Sequence, residues 1–431
     1  MNIGIDLSPL QSNHRMRGVG AVVINLINNL SDYDKKHHSF IFFMDANDES
    51  KKTALDLINL TGINYEVRTK PTNKHRELKL PGKLRILSRL IKKLSTMIRF
   101  YVGEKGYDDN GLDVFLLTDQ ICSMPDLKRS IKKVMVAYDL IPYIVEWDYL
   151  RRYSTIRNAG LSRKAALASQ LQRSVYISKL RINSKKSDKI FAISDQSRKD
   201  FIKYAKVSGD KISTLYLGVN LPSLHSLENT PKIKYVNSSW GYMPREFKFD
   251  ISTPFILFVG GTDARRKLDD LVTAFNHLRG QGYQLNLVLS GDILQGPNNL
   301  PVQSSREALL RSSYKEDIIY LGYTDDAVRN WLYKNALAFI YPSRYEGFGL
   351  PVLEAMSYGT PVITYNNTSI VEIAGNSALY ASDSMSIKDN VEKMINDANI
   401  RKRYSQLGLK QASKYTWKTT TEKLMKELSE P

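Results

Sequence analysis

The 431-residue chain contains a single cysteine, Cys122, and only six histidines. One cysteine excludes an internal disulfide and favours a reducing compartment, and we do not expect it to act as a nucleophile. No HExxH or CxxC spacing indicates a metal site. No run of about 18 apolar residues is present, and the first residues, MNIGIDLSPL, lack the basic start and apolar core of a secretion signal. These absences predict a cytoplasmic protein without a membrane span.

Acidic residues are in the minority, since 62 Lys and Arg oppose 44 Asp and Glu and leave a net charge of +18. Such an excess favours an anionic partner, a class that includes nucleic acid, an anionic membrane surface and phosphorylated substrates. The cations are spread over several predicted elements without an aromatic platform or a known binding motif, so nucleic acid is not expected. Hydrophobic residues at 42% and charged residues at 25% are typical of a folded globular protein.

Apolar runs alternate with helix-like periods in two series along the chain. The first series predicts strands at Ile3–Asp6, Phe40–Met44, Val114–Leu117, Lys133–Tyr138 and Lys189–Ile193. The second predicts strands at Phe255–Val259, Leu285–Leu289, Ile318–Tyr320, Ala338–Tyr341 and Val362–Thr364. Alternation of this kind indicates parallel sheets covered by helices on both faces. The predicted fold class is therefore α/β, with two Rossmann-like doubly wound domains.

Length and composition place the domain boundaries. A chain of this length is too long for one ordinary core, which predicts two domains of about 200 residues each. Residues 218–253 are rich in Pro, Ser and Asn and lack periodicity, as is typical of a linker. We therefore predict domains at 1–220 and 253–405, an irregular connection at 221–252, and a polar helical tail at 406–431.

The segment 341–362, YPSRYEGFGLPVLEAMSYGTPV, places Glu346 and Glu354 around a Gly-Phe-Gly turn that opens into a short helix. Pro351 suits the first helical turn, and the free N–H groups of the helix start point back at residues 347–349. Such a start attracts phosphate. The two carboxylates would repel a bare phosphate but suit hydroxyl groups on either side of a diphosphate, with ribose at one end and a sugar at the other. The alternative for the glycines alone is that they only form the turn between a strand and a helix.

The core of this segment, EGFGLPVLE, resembles the donor-site motif of the retaining GT-B glycosyltransferases of family 4, the glycosyl transferases group 1, and in particular of bacterial mannosyl- and rhamnosyltransferases. The resemblance implies a GT-B fold, in which two Rossmann-like domains face each other across a cleft and a C-terminal helix crosses back to the N-terminal domain. It also implies that Glu346 positions the reacting sugar and that Glu354 binds ribose hydroxyls. The donor-binding residues implied between the two acids are Gly347, Phe348, Gly349 and Leu350.

A second constellation lies at 259–275, VGGTDARRKLDDLVTAF, where a strand ends in glycines that include Gly261 and three cations precede a helix. Ligands bind beyond the strand ends of a doubly wound sheet, so Arg265, Arg266 and Lys267 are predicted to reach a diphosphate and stabilise its charge without a metal. Cations are disfavoured at a helix start, which suggests a bound counter-anion. A solvated basic helix start is the alternative.

In the resembled family this loop carries Arg followed by Lys. Counted from Gly261, Arg265 and Arg266 take those places, with an arginine where the lysine is usual. A shift of one residue would assign Arg266 and Lys267 instead, and the sequence leaves both registers open. In the resembled mechanism the departing phosphate takes the acceptor proton, so no protein base is required.

A loop near the N-terminus carries Gly18 and Gly20 and leads into a predicted helix. It is similar to the family loop that approaches the donor phosphates from the opposite lobe. His14, Arg15 and Arg17 would add positive potential there. A flexible loop with scattered charge is the alternative.

At 134–143, VMVAYDLIPY, the resembled family commonly shows His-Asp-Leu-Ile-Pro, and Tyr138 stands in place of the histidine. The family histidine lies near the transferred sugar, so this departure leaves the identity of the sugar open. Asp139 follows a predicted strand. We expect it either to bind a sugar hydroxyl in the catalytic site or to cap a turn.

Residues 79–101, KLPGKLRILSRLIKKLSTMIRFY, have apolar side chains at three- and four-residue steps and a basic opposite face. This pattern predicts an amphipathic helix that packs on the sheet or lies on an anionic membrane surface, and the two are compatible. A second basic stretch, 151–186, belongs to the same predicted domain. A lipid-linked glycan acceptor and a peripheral position at the inner face of the plasma membrane would follow.

Together these patterns predict a retaining glycosyltransferase that moves a hexose-type sugar from a nucleotide-sugar donor to a glycan or polyprenyl-linked glycan acceptor in cell-surface polysaccharide or glycoconjugate synthesis. The donor would be a UDP-, GDP- or dTDP-sugar, with no tightly bound cofactor and no metal. The alternatives are another GT-B enzyme, such as a phosphorylase or a synthase for a soluble product, and a noncatalytic basic scaffold that binds membranes or nucleic acid.

Overall fold

The computed structural model describes residues 1–12, 15, 18–71, 100–146, 149–160, 162–222, 253–261, 263–291 and 300–430. Most of the amphipathic helix predicted at 79–101 lies outside the described residues, as do most of the connection at 221–252 and the side chains of His14 and Arg17. The chain divides into two compact units. Unit 1 comprises Met1–Ile144, Leu150–Gly218 and Trp417–Pro431, and unit 2 comprises Val145–Tyr149 and Val219–Thr416.

Unit 1 contains a seven-stranded parallel sheet with the order β3-β2-β1-β4-β5-β6-β7. Its strands are β1 (Asn2–Asp6), β2 (Ser39–Met44), β3 (Tyr65–Thr69), β4 (Val114–Leu117), β5 (Lys132–Ala137), β6 (Lys189–Ala192) and β7 (Ile212–Thr214). Its helices include α1 (Gly18–Asn28), α2 (Asp32–His37), α3 (Asp48–Leu55), α4 (Ile141–Ile144), α5 (Tyr153–Asn158), α6 (Arg163–Lys186) and α7 (Asp195–Asp200). The inner strands are buried on both faces, as their continuous apolar runs require.

Unit 2 contains a six-stranded parallel sheet with the order β10-β9-β8-β11-β12-β13. Its strands are β8 (Phe255–Val259), β9 (Asn286–Ser290), β10 (Ile318–Gly322), β11 (Ala338–Tyr341), β12 (Val362–Tyr365) and β13 (Leu379–Ala381). Its helices include α8 (Leu268–Gly280), α9 (Leu300–Arg311), α10 (Asp326–Asn335), α11 (Leu350–Ser357), α12 (Thr368–Ala374), α13 (Ser384–Asn396) and α14 (Ala398–Ala412). The predicted α/β class with two Rossmann-like units is confirmed.

All ten predicted strands are present, each within two residues of its predicted bounds. Three further strands, β3, β7 and β13, do not follow from the sequence. Each lies at an edge of its sheet. Strand β3 is mostly exposed and mixes polar with apolar residues, and β7 and β13 have only three residues each, so none of them produces a sustained apolar run.

The last helix, α15 (Trp417–Ser429), packs within unit 1. Its buried side chains Leu424, Met425 and Leu428 cover an apolar surface of the sheet and of α1 that includes Ile5 and Phe40. Polar contacts fasten the helix along its length. The Thr420 hydroxyl donates to the Tyr216 carbonyl at 2.8 Å, Lys423 to the Thr214 carbonyl at 2.8 Å, and Lys189 pairs with Glu427 at 3.2 Å.

Candidate active site

The order of the strands in unit 2 creates a point at which two loops must meet. From β8 the chain proceeds to β9 and β10 on one side and then to β11 on the other, so the loops after β8 and β11 leave neighbouring strand ends in opposite directions. Such a topological switch point is where doubly wound sheets bind ligands. The loop after β8 carries the predicted cations, and the loop after β11 carries Glu346. The Arg344 N–H donates to the Arg265 carbonyl at 2.7 Å and joins the two loops.

Two glycines allow the loop after β8 to close over the sheet edge. Gly260 has a φ of +154°, and a β-carbon there would lie 3.2 Å from the Nη1 atom of Arg266. Gly291, at the end of β9, has a φ of +121°, and a β-carbon there would lie 2.4 Å from the Gly260 carbonyl oxygen. A side chain at Gly291 would be excluded by backbone strain and by contact with backbone atoms, whereas one at Gly260 would be strained and would require Arg266 to move. Gly261 contributes its carbonyl oxygen, which accepts a hydrogen bond from Arg266 Nη1 at 3.2 Å.

Glu346 is buried and receives a convergent set of donors. Its side chain is 9% exposed. The Oε1 atom accepts hydrogen bonds from the Tyr341 hydroxyl at 2.8 Å, the Ser343 hydroxyl at 2.9 Å, Arg266 Nε at 3.5 Å and Arg265 Nη1. Burial alone would raise the pKa of this carboxyl, but Arg265, Arg266 and the Tyr341 hydrogen bond together hold the pKa below its ordinary value. The carboxylate is therefore a fixed negative charge.

Arg265 is the most enclosed of the three cations, with a side chain that is 5% exposed. Besides Glu346, its guanidinium donates to the Tyr345 carbonyl at 2.6 Å and to Asp263 at 3.3 Å. Arg266 lies 3.7 Å from the same Asp263 carboxylate, and its guanidinium carbon is 5.9 Å from the centre of the Tyr341 ring. Burial would raise the pKa of the Asp263 carboxyl, but Arg266 and Arg265 hold it below its ordinary value.

Lys267 has different partners from the two arginines. Its ammonium group pairs with Asp269 at 2.7 Å and with Asp270 at 3.4 Å, both in the first turn of α8. The structure therefore brings Arg265 and Arg266, and not Lys267, to Glu346. Protein carboxylates also supply the counter-charge that the sequence pattern alone attributed to a bound anion. A diphosphate at this loop would have to share the guanidinium groups with Asp263 and Glu346.

The predicted glycine turn leads into α11 and places Glu354 on that helix. Gly349 immediately precedes the helix with a φ of +103°, Leu350 is its first residue, and Gly347 and Phe348 are buried in the turn. The Glu354 side chain is 30% exposed. Its Oε2 atom accepts a hydrogen bond from the Tyr333 hydroxyl at 3.0 Å and lies 4.0 Å from Arg329 Nε.

A polar segment after β12, which no motif in the sequence marks, holds the Glu346 loop from the other side. The Glu346 N–H donates to Thr368 Oγ1 at 3.3 Å, and the Ser369 hydroxyl donates to the Glu346 carbonyl at 2.8 Å. The Asn367 amide donates to the Ser343 carbonyl at 3.0 Å. Thr368 has a φ of +47°, which is costly for a β-branched residue. The signal that could have found this segment is the run of small polar residues directly after a strand that neighbours β11.

The predicted residues of unit 1 have structural contacts of their own. The Asp139 carboxylate accepts the Ile141 N–H at 2.9 Å, which is the turn-capping alternative, and its sugar-binding role stays a prediction. Tyr138 is buried, and its hydroxyl donates to the Thr118 carbonyl at 2.9 Å. Gly18 is the first residue of α1, and a β-carbon at Gly20 would lie 2.5 Å from the Cα atom of Arg15. Gly20 therefore permits a close backbone approach at that loop.

Comparison with known proteins shows what this chain is similar to. Residues 243–411 match the family described as "Glycosyl transferases group 1". The chain is 31% identical over 244 residues to the O-antigen chain mannosyltransferase B of Escherichia coli, covering 54% of this chain and 58% of that relative. It is 26% identical over 303 residues to the serotype-specific mannosyltransferase WbdA of Escherichia coli, covering 69% of this chain and 33% of WbdA. The chain thus spans less than two thirds of these relatives' own length. These matches support the interpretation that the chain is a glycosyltransferase enzyme.

Solved glycosyltransferase structures have the same fold. HepE of Anabaena in complex with UDP and glucose superposes with a TM-score of 0.62 at 15% identity, covering 100% of this chain and 99% of HepE. WaaG, a glycosyltransferase involved in lipopolysaccharide biosynthesis, superposes with a TM-score of 0.55 at 13% identity, covering 100% of both chains. The fold is GT-B. In the part of the chain that the structure describes, no helix has the length and apolar character of a membrane span, and no group of three or more His, Cys, Asp or Glu side chains is placed to hold a metal ion.

Proposed function

We propose that this chain is a retaining glycosyltransferase that uses a nucleotide-sugar donor and transfers a hexose-type sugar to a glycan or polyprenyl-linked glycan in cell-surface polysaccharide synthesis. The observation that carries the proposal is the meeting of Arg265, Arg266 and Glu346 at the switch point of unit 2, where the loop after β11 leads into the helix that carries Glu354. The mannosyltransferase relatives and the UDP complex of HepE support the substrate class.

The arginines would act on the departing group. Transfer breaks the bond between the anomeric carbon and the diphosphate oxygen, and negative charge develops on that oxygen. Two guanidinium groups that are already fixed by Glu346 and Asp263 can stabilise this charge without reorganising, which is the most effective form of electrostatic catalysis. The acceptor oxygen bonds to the anomeric carbon from the face that the phosphate leaves, and its proton passes to the phosphate oxygen. This route requires neither a protein base nor a metal.

The two acids would hold the two ends of the donor. Glu346 stays ionised and would accept hydrogen bonds from hydroxyls of the transferred sugar. Glu354 is partly exposed on α11 and would accept hydrogen bonds from ribose hydroxyls, with Gly347, Phe348, Gly349 and Leu350 shaping the turn between them. The relatives named as mannosyltransferases make a GDP-mannose donor the first to test, followed by UDP- and dTDP-sugars.

A lipid-linked acceptor is proposed from the surface of unit 1. Between residues 150 and 187 the chain carries ten Lys and Arg and no Asp or Glu, and the exposed cations among them are Arg152, Arg157, Arg163, Lys164 and Lys185. In the same stretch Leu167 and Leu171, one turn apart on α6, are 62% and 39% exposed. Exposed leucines among cations suit an anionic bilayer, where each cation contributes about 1 kcal/mol. The described end of the 79–101 segment adds Tyr101, which is 75% exposed. A peripheral position at the inner face of the plasma membrane is part of this proposal.

The membrane proposal has a direct test. We expect the protein to co-sediment with vesicles containing anionic lipid, and less so at high salt, while neutral vesicles leave it in solution. Replacing Leu167 and Leu171 by Gln should weaken sedimentation without lowering the melting temperature, because both side chains are exposed. Equal binding to neutral vesicles, or undiminished binding by the double variant, would overturn the proposal.

Donor use is tested by a thermal-shift screen of the 431-residue protein against GDP-mannose and UDP-, ADP- and dTDP-sugars, with mass detection of slow donor hydrolysis in the same wells. We expect one donor to stabilise both the wild type and Glu346→Gln, and only the wild type to consume it. If no nucleotide-sugar stabilises the wild type, or if Glu346→Gln consumes the donor at the wild-type rate, the proposed function is wrong.

A further inference from the structure

Two buried tyrosines of unit 2 contact the two acids of the candidate site. Tyr341, the last residue of β11, is 1% exposed and donates its hydroxyl to Glu346 at 2.8 Å. Tyr333, on α10, is 0% exposed and donates its hydroxyl to Glu354 at 3.0 Å. The two tyrosines are eight residues apart, as are the two acids. Each acid therefore has its own buried phenol.

These hydroxyls are held in place by the packing of their rings. The Tyr333 ring meets Phe339 edge-on at 5.4 Å, and Phe339 stacks on Tyr341 at 5.7 Å. On its other side Tyr341 stacks on Phe258 at 6.0 Å. An aromatic row thus links the two acids through the core, and neither hydroxyl can move without repacking of its neighbours.

A phenol in such a core needs a partner, because burying an unpaired hydroxyl costs free energy. A phenylalanine would satisfy the core at both positions without that requirement. Burial also raises the pKa of both phenols, so both remain protonated donors at neutral pH. What the hydroxyls add is the orientation of two carboxylates.

The two carboxylates depend on their tyrosines to different degrees. Glu346 has Ser343, Arg265 and Arg266 as further donors to the same oxygen, whereas Glu354 has Arg329 at 4.0 Å as its described ion-pair partner. Loss of the Tyr341 hydroxyl would remove one neutral donor from a carboxylate that Ser343, Arg265 and Arg266 still hold. Loss of the Tyr333 hydroxyl would release Glu354 to other rotamers.

We propose that Tyr341 and Tyr333 are separate positioning residues, Tyr341 orienting Glu346 for the transferred sugar and Tyr333 orienting Glu354 for the nucleoside. This inference rests on the proposed roles of the two acids. It goes beyond them by assigning each acid its own buried hydroxyl, one for the sugar end of the donor and one for the nucleoside end.

Tyr→Phe variants test the division, because each removes one oxygen and keeps the ring. For Tyr333→Phe we expect about a tenfold rise in the KM for the donor and in the Kd for free GDP or UDP, with kcat within about twofold of wild type, since a hydrogen bond to a charged group is lost at the nucleoside end. For Tyr341→Phe we expect kcat to fall about tenfold while the Kd for GDP or UDP stays unchanged, because neither nucleotide carries the sugar.

A second readout separates positioning by Tyr341 from a general loss of stability. Without the Tyr341 hydroxyl the pKa of Glu346 should rise, so the acid limb of the kcat profile should move to higher pH. Ser343→Ala removes another donor to the same oxygen and should move the limb in the same direction, which keeps the test available if Tyr341→Phe folds poorly. Tyr380→Phe is the matched control, since its hydroxyl donates to the Gly375 carbonyl instead of an acid. It should leave the kinetics and the pH profile unchanged.

Glu346→Gln and Glu354→Gln, measured in parallel, distinguish the two ways of failing. If Glu354→Gln weakens GDP or UDP binding and Glu346→Gln lowers kcat, but both tyrosine variants change the same parameter or match Tyr380→Phe, the positioning inference is overturned and the proposed function stands. If Glu354→Gln does not weaken GDP or UDP binding, or if Glu346→Gln does not lower kcat, the roles proposed for the two acids are themselves wrong.

Discussion

Glu346 and Glu354 stand eight residues apart in one motif and have contrasting surroundings. The Glu346 side chain is 9% exposed and meets two arginines and two hydroxyls, whereas the Glu354 side chain is 30% exposed and has one hydroxyl and a more distant arginine. A buried ion pair is expensive to break, and a half-exposed carboxylate has lone pairs available to a ligand. The spacing of the motif therefore places one acid before α11 and the other within it, but the neighbours of each acid decide what it can do.

Removing the cation that pairs with Glu346 should have the largest effect on stability and turnover. Arg265→Ala leaves a buried carboxylate without its closest cation and removes a donor from the departing phosphate. We expect the free energy of unfolding to fall by about 3–5 kcal/mol and turnover to fall by at least about 100-fold. Urea unfolding and donor-consumption assays measure the two effects. Arg329→Ala is the matched change on the Glu354 side, where the pair is looser. A loss of stability as large as that of Arg265→Ala would contradict the contrast between the two acids.

The acid sensitivity of the fold sharpens the comparison. The pKa of Glu346 lies below its ordinary value of 4.5 in the folded protein, so the unfolded chain binds more protons as the pH falls towards that range. The stabilisation from the Glu346 pairs is complete above about pH 4.5 and is lost as the pH falls through the folded value. Glu346→Gln should flatten the stability profile below about pH 4.5, measured by urea unfolding at stepped pH. If the free energy of unfolding falls equally steeply with decreasing pH in the variant, Glu346 is not the group whose protonation causes the loss. Asp263, whose pKa is also lowered, should leave a smaller residual dependence of stability on pH.

The smallest predicted effect concerns which cations serve the site. Arg266→Gln should lower turnover by about tenfold, because Arg266 contacts the Glu346 carboxylate and shares Asp263 with Arg265. Lys267→Gln should lower it by no more than about threefold, since Lys267 pairs with Asp269 and Asp270 of its own helix. Steady-state kinetics on the two variants decide the register. A larger loss for Lys267→Gln than for Arg266→Gln would mean that the lysine turns to the donor when it binds.

Much of the site in unit 2 can be predicted from sequence because its residues follow strands. Gly261, Arg265 and Arg266 come after β8, and Glu346 comes after β11, so the order of a doubly wound sheet suffices to bring them together. The supporting tyrosines cannot be predicted in the same way. Tyr341 ends an apolar strand, so the sequence predicts only a core residue. Its hydrogen bond to Glu346 is evident only in the structure, where the loop after β11 folds back over the end of the strand.

Unit 1 is the contrasting case, because the contacts of its polar residues could not be predicted from the sequence. Its strands are predicted well, but the polar residues at their ends also make contacts within the fold that composition does not reveal. Asp139 caps a turn, and Tyr138 closes a hydrogen bond to the neighbouring strand end. Whether a strand-end carboxylate binds a ligand depends on which backbone N–H groups surround it, and those positions follow from loop geometry that no sequence pattern specifies.

The placement of α15 has a consequence for how the protein is made. The apolar surface around Ile5 and Phe40 is covered by Leu424, Met425 and Leu428, which the ribosome adds more than 350 residues after Phe40. Domains generally fold as units during synthesis, N-terminal first, but here the first sheet cannot bury that surface until residues 417–431 have emerged. The nascent chain therefore carries an open apolar face through most of its translation, and that face is where a chaperone would bind and where premature termination would lead to aggregation.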